Sequence, residues 1–281
     1  MTLKNITVEK IVRGKHAVDG AGVHLVRLFG RDEVQDFDPF LLMDAFDSTN
    51  PDDYIKGFPW HPHRGIETVT YLIKGDLEHG DSLGNHGSIL NGDCQWMTAG
   101  SGIIHQEMPQ ATDHLLGCQI WLNLPSKDKM VSPQYNDILD ANVPEICEEG
   151  VKLHIIAGRY NDFIGAFEGK YVQPIYLDVE AQPGVEWSME TGPENTLFVY
   201  IISGEAAFDP DTTDLLGEKN VVLFSKGEQF WMRAGSSGVR FLLLSGRPLN
   251  EPIAWGGPIV MNTRQELNQA FADLDKGQFI K

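Results

Sequence analysis

This 281-residue chain has no run approaching the ~18 consecutive apolar residues that a membrane-spanning helix needs. Its opening stretch, MTLKNITVEKIVRGKHAV, also lacks the apolar centre of a secretory signal. A cytoplasmic protein is expected, nuclear as well if the source is eukaryotic, with no membrane partner. Positive charge is scarce: 22 Lys and Arg against 40 Asp and Glu give a formal net charge of −18. Such a chain repels phosphate backbones, and nucleic-acid affinity rests on counterions released by cationic contacts. Direct nucleic-acid binding is therefore not expected, while protein partners stay open. Cysteine is scarce too. Cys94, Cys118 and Cys147 are odd in number and lack C-x-x-C spacing, which argues against a disulfide framework or a thiolate zinc site. They are expected as buried free thiols.

What the chain has is turns. Its 29 glycines and 15 prolines make up about 16% of the residues against a usual ~12%. Between the turns lie short alternating segments of strand character: ITVEKIVR at 6–13, GVHLVRL at 22–28, ETVTYLI at 67–73, GCQIWLNL at 117–124. Others follow at 151–157, 172–179, 196–203, 220–225 and 239–245. The apolar run PFLLMDAF near residue 40 fits a strand or a buried helix equally. From Pro125 to Gly150 the period fades and proline and charge increase, as in a linker. The end differs: Thr263-x-x-Glu266 is a capping box, with Leu267, Ala270, Phe271 and Leu274 following at helical spacing. The expected fold is all-β, two tandem β-barrel domains at 1–135 and 136–281, with one short C-terminal helix ending near Gly277.

An internal repeat supports two domains. GDCQWMTAGSG at 92–102 returns as GEQFWMRAGSS at 227–237, 135 residues on, and TYLIKGDL at 70–77 matches VYIISGEA at 199–206, 129 residues on. The first copy also holds an H-x-H pair, His61 and His63, and an H-x-E pair, His105 and Glu107. Strand side chains alternate faces, so each i, i+2 pair points to one side, and two such strands side by side aim four ligands at one point. The repeat offsets carry these residues onto Glu190, Gly192, Arg240 and Leu242, which removes every metal-competent pair.

Three imidazoles and one carboxylate suit a redox-active divalent metal with open positions, iron(II) first, with Mn, Cu, Ni or Zn able to substitute in vitro. Glu67, four residues after His63, is a rival carboxylate. His16, His24, His114 and His154 are expected as ordinary solvated or hydrogen-bonded side chains, and His79 and His86 as loop residues, with lining of the pocket mouth as the alternative. Arg64, beside the histidine pair, is either a source of pocket electrostatics or one half of a surface salt bridge.

The stretches HPHRGIETVTY at 61–71, QWMTAGSGIIHQEMP at 95–109 and WLNLP at 121–125 resemble the pirin family of the cupin superfamily. KDKM at 127–130, LNEPI at 249–253 and GPIVMNT at 257–263 extend the resemblance over most of the chain. It implies a bicupin whose N-terminal domain carries non-haem iron, with His61, His63, His105 and Glu107 as ligands; it thereby prefers Glu107 over Glu67. Two departures from the general cupin pattern are Gly100, where proline is usual, and Pro109, where asparagine is usual. The resemblance implies a metal-dependent dioxygenase of the quercetin 2,3-dioxygenase type, taking a flavonol-like substrate and O2, with Glu107 as ligand and proton acceptor. Its alternative is a metal- or redox-sensing regulator acting through protein partners, a transcriptional co-regulator or a modulator of a metabolic enzyme. A monomer is expected.

Overall fold

A computed structural model describes residues 3–281. The described chain divides into two compact units with interleaved boundaries: one comprises residues 15–34, 40–141 and 249–281, the other 3–14, 35–39 and 142–248. The main junction between the units lies at residues 141–142, and each end of the chain belongs to the unit that is more distant in sequence. Val8–Arg13 adds to the second unit by pairing with Asn220–Phe224, which satisfies backbone groups along that strand. The segment after Pro248 returns to the first unit because Ile259, Met261, Leu267, Ala270 and Phe279 bury together there, with Ile104 packed against them.

The first unit is a jelly roll of two facing sheets. Its larger sheet has seven strands in the order Gln134–Ile138, Cys94–Thr98, Ile66–Lys74, Leu115–Asn123, Phe40–Ser48, Val23–Phe29 and Lys15–Asp19. The smaller runs Phe58–His63, Ile103–Pro109, Leu77–Asp81 and His86–Ile89. The ambiguous run near residue 40 is thus a strand, in keeping with its short length. Ile103–Pro109 alternates strictly between buried and half-buried residues, the sign of a strand with one face inward. Inside the expected linker, Gln134–Ile138 pairs with Cys94–Thr98, and Glu145–Glu148 pairs with Val151–Ala157. Pairing of whole edge strands overrides the weak local period there.

The second unit is built on a nine-stranded sheet in which two strands are long, Thr196–Ala207 and Gln229–Gly246. Each does the work of two strands in the first unit. Gln229–Gly246 pairs with Glu186–Glu190 along its first part and with Ile175–Ala181 along its second. The sheets of the molecule do not close into one barrel; each unit is a cupin jelly roll. The C-terminal helix spans Arg264–Asp275, with Thr263 and Glu266 forming both halves of the capping box. Gly277 follows with φ +66, a left-handed conformation that glycine adopts without strain. Among the described residues, no helix is long and apolar enough to cross a membrane.

Candidate metal centre

The strands Phe58–His63 and Ile103–Pro109 are antiparallel neighbours, with His61 opposite His105 and His63 opposite Ile103. Alternation turns His61, His63 and His105 to the interior, where their ligand atoms lie within 4.8 Å of one another. His105 is fully buried and His63 is 1% exposed. Burial, reinforced by neighbouring imidazoles, holds the His63 pKa down to about 3 and that of His105 well below its usual value. Both rings are therefore neutral at physiological pH, the form that binds a metal.

Their hydrogen bonds settle which nitrogen is free. Nδ1 of His61 lies 2.9 Å from the Pro59 carbonyl, and Nδ1 of His63 lies 3.0 Å from that of Pro258. A carbonyl only accepts, so both Nδ1 atoms carry the proton. The two Nε2 atoms then face each other at 3.1 Å with a lone pair each. Neither nitrogen of His105 has a hydrogen-bond partner. Opposed lone pairs and a buried imidazole without partners are costly by themselves, and one cation between them removes both costs. The donor set fits a metal ion.

Glu107 stands beside this group, not within it. Both its oxygens accept from Nε2 of Gln119 at 2.8 Å, and Oε1 also accepts from Oγ1 of Thr70 at 3.1 Å. Burial raises its pKa; the nearby His61 ring and the bonds from Gln119 and Thr70 oppose that rise. Three of the four expected ligands are thus brought together, and the fourth lines the same cavity with its carboxylate held by an amide and a hydroxyl. Glu67 is elsewhere. It lies three residues before Thr70 on one strand, so it faces the opposite side of the sheet, where it accepts from Thr98 at 2.7 Å. Burial outweighs that bond and pushes its pKa up to about 7.

Other expectations need correction. Arg64 is neither on the surface nor in the pocket: it is 2% exposed and paired with Asp273 at 2.8 Å. His79 belongs to the strand Leu77–Asp81, is buried, and stacks on Tyr135 with ring centroids 4.4 Å apart. His86 also lies on a strand, though exposed. His114 and His154 pair with Asp47 and Glu145, in line with ordinary roles. Cys94 and Cys118 are buried, but Cys147 is exposed, because it sits on an outward position of the short strand Glu145–Glu148.

His61, His63 and Glu107 line a cavity of about 660 Å³, with His105 buried behind them. Trp121 meets the His63 ring edge-on at 5.0 Å, and Trp255 lies 5.8 Å from Trp121. Arg27, also on the lining, makes a two-pronged bond to Asp44 and reaches Asp19. Sequence reasoning missed Thr70, Gln119, Trp121 and Arg27. A signal existed for two of them, since Gln119 and Trp121 sit at i, i+2 in a strand that already held one inward face.

Strand pairing also gives the counterparts in the second unit. Val69 lies opposite Trp96 and Ile120; Phe198, its counterpart 129 residues on, lies opposite Leu223 and Leu244. Trp96 therefore corresponds to Leu223, not Trp231, and GEQFWMRAGSS is one strand out of register with GDCQWMTAGSG. Leu77 faces Pro109, and Ala206 faces Ala234, so His105 and Glu107 correspond to Phe230 and Met232. His61 then corresponds to Met189, and His63 to Thr191. Thr70 and Gln119, opposite one another, become Val199 and Leu243. The expected counterparts Glu190, Gly192, Arg240 and Leu242 are thus corrected, and the contrast grows: the polar constellation is replaced almost throughout by one apolar cluster.

Profiles described as Pirin and Pirin C-terminal cupin domain match residues 22–122 and 176–280. A protein of Caulobacter vibrioides named pirin-like is 41% identical over 275 residues, covering 97% of this chain and 98% of its own. A Pseudomonas aeruginosa relative, provisionally named quercetin 2,3-dioxygenase, is 41% identical over 270 residues and 94% of both chains. The crystal structure of an Acinetobacter baumannii quercetin 2,3-dioxygenase is similar with a TM-score of 0.88, at 34% identity over 98% of both chains. With a histidine triad in the first jelly roll, an apolar filling at the same strand positions of the second, and this likeness over nearly its whole length, the chain belongs to the pirin family of cupins.

Proposed function

We propose that His61, His63 and His105, joined by Glu107, hold one non-haem iron(II) ion, and that the protein is a dioxygenase of the quercetin 2,3-dioxygenase type. The observation that carries this reading is a cluster of three histidines, with the Nε2 atoms of His61 and His63 3.1 Å apart and His105 buried without a partner, beside a buried carboxylate that lines an aromatic-walled cavity. The names of the Pseudomonas and Acinetobacter relatives support the same reaction class.

A bound iron ion supplies Lewis acidity toward an enolic oxygen and a place for O2. The chain's own residues supply the rest. Glu107, raised in pKa by burial, accepts the enol proton at a carboxylate oxygen. Gln119 and Thr70 hold that carboxylate in one orientation. Trp121 and Trp255 provide flat walls for a planar aromatic ligand such as a flavonol. Arg27, neutralised by Asp44 and Asp19, offers N–H groups at the lining without a net positive charge.

The test is oxygen uptake by iron-loaded protein supplied with quercetin, followed together with loss of the flavonol absorbance. Uptake that requires both protein and flavonol supports the reading. No turnover with iron, manganese, copper or nickel sinks it.

A further inference from the structure

Three consecutive residues, His63, Arg64 and Gly65, are each gripped by the segment that follows Pro248. Nδ1 of His63 donates to the carbonyl of Pro258, 195 residues away in sequence. The carbonyl of Arg64 accepts from the backbone of Val260 at 3.1 Å, and Arg64 forms a parallel bridge with Ile259. Gly65 has φ +79, and a Cβ built on it would lie 2.0 Å from the Val260 carbonyl, so no side chain fits there. Lys129 then bridges the two segments by donating to the carbonyls of both Gly65 and Val260.

Arg64 extends the grip to the helix and the tail beyond it. Its Nε donates to the Ser101 carbonyl at 2.7 Å, one terminal nitrogen to Asp273 at 2.8 Å, and the other to the Phe279 carbonyl at 2.9 Å. The guanidinium carbon also sits 4.2 Å from the centre of the Phe279 ring. Each bond uses the planar fork of arginine, and lysine at this position reaches only part of the set. Asp273 is in turn held by Gln269, one turn earlier on the helix.

The two histidines of the pair therefore differ in what orients them. His61 takes its carbonyl from Pro59 on its own strand, whereas His63 takes it from the C-terminal segment. The geometry points to Arg64 as a positioning residue: anchored on Asp273 and Phe279, it and the C-terminal segment form a clamp that sets the tautomer and direction of His63 for metal binding. This inference rests on the metal-centre reading above. The bond that fixes Nδ1 of His63 lasts while Pro258 stays in place, and the segment carrying Pro258 is tied down through Val260, Lys129 and the Arg64–Asp273 pair. Ligand-orienting partners of this kind typically change metal affinity by about 10–100-fold when removed.

The test uses the full chain, with cobalt(II) as the probe metal. Wild type, Arg64→Lys and Asp273→Asn are compared by competition against a chelator, by visible cobalt absorption and by thermal melting. The clamp predicts folded variants whose cobalt affinity falls about tenfold or more, with a shifted visible band. Spectra of 15N-histidine-labelled variants should lose the His63 Nδ1–H signal and keep that of His61. Unchanged affinity and band in both folded variants overturn the clamp alone. If neither variant folds, wild type still decides: His63 protonated at Nδ1, with coupling across the bond to Pro258, supports the clamp, and protonation at Nε2 overturns it. Wild type that binds no cobalt overturns the metal centre, and the clamp with it.

Discussion

The side-chain nitrogen of Gln119 sits 2.8 Å from both oxygens of Glu107. The other end of that amide accepts from the indole of Trp121 at 3.3 Å, so its orientation is fixed with the donor toward the carboxylate. Gln119 thus stabilises the ionised form of a group that burial drives toward protonation.

Replacing Gln119 by leucine leaves burial less opposed, so the Glu107 pKa rises further. A base works only when ionised, so the acidic limb of the kcat/KM profile is expected to move to higher pH. The metal content is expected to stay at the wild-type level. The check is a pH–rate profile of iron-loaded Gln119→Leu with quercetin; an unmoved limb removes Glu107 from the role of base.

Glu67 makes an opposite contribution to stability. Its folded pKa of about 7 lies above the ordinary 4.5, so the native state binds more protons than the unfolded state between those values. Stability is therefore fully present below about pH 4.5 and is lost as pH rises through 7. The whole difference, 2.5 pH units, corresponds to roughly 3 kcal/mol. Glu67→Gln is expected to gain about 2–3 kcal/mol at pH 8 and little at pH 5, as measured by urea unfolding at both.

Lys129 is 2% exposed and donates to three oxygens, of Gly65, Asn123 and Val260. Burial pulls its pKa down to about 7, but all three neighbours are acceptors and only the charged form has three protons to give. Lys129→Met keeps much of the volume and strands those acceptors, at an expected cost of about 3 kcal/mol. Denaturant midpoints of the variant and wild type check this; a loss below about 0.5 kcal/mol contradicts it.

Much of the site is legible in the sequence because strand geometry makes i, i+2 pairs visible. His61, His63, His105 and Glu107 declare themselves by spacing, and the four-residue step from His63 left Glu67 as a rival until a structure fixed the face of its strand. Gln119 and Thr70 stay hidden because their importance lies in what they touch across the sheet. The repeat is legible in part: Val69 and Phe198 align, but similar turn-and-strand composition drew Trp96 onto Trp231 instead of Leu223. The interleaving of the units is not legible at all. Nothing in VEKIVR or in the capped helix states which sheet or core receives it, because docking is decided by surfaces that only the folded chain presents. Arg64 shows the same limit: its neighbour His63 was visible, but its partner Asp273 lies 209 residues away.

The central claim is that the three imidazoles hold one metal ion. Anaerobic titration of the purified, metal-stripped protein with iron(II), followed calorimetrically, tests it most directly. The expected result is one ion per chain in wild type and in Glu67→Gln, weaker binding in Glu107→Ala, and none in folded His105→Ala. Stoichiometric binding that survives His105→Ala, or its absence in the wild type, would contradict the account.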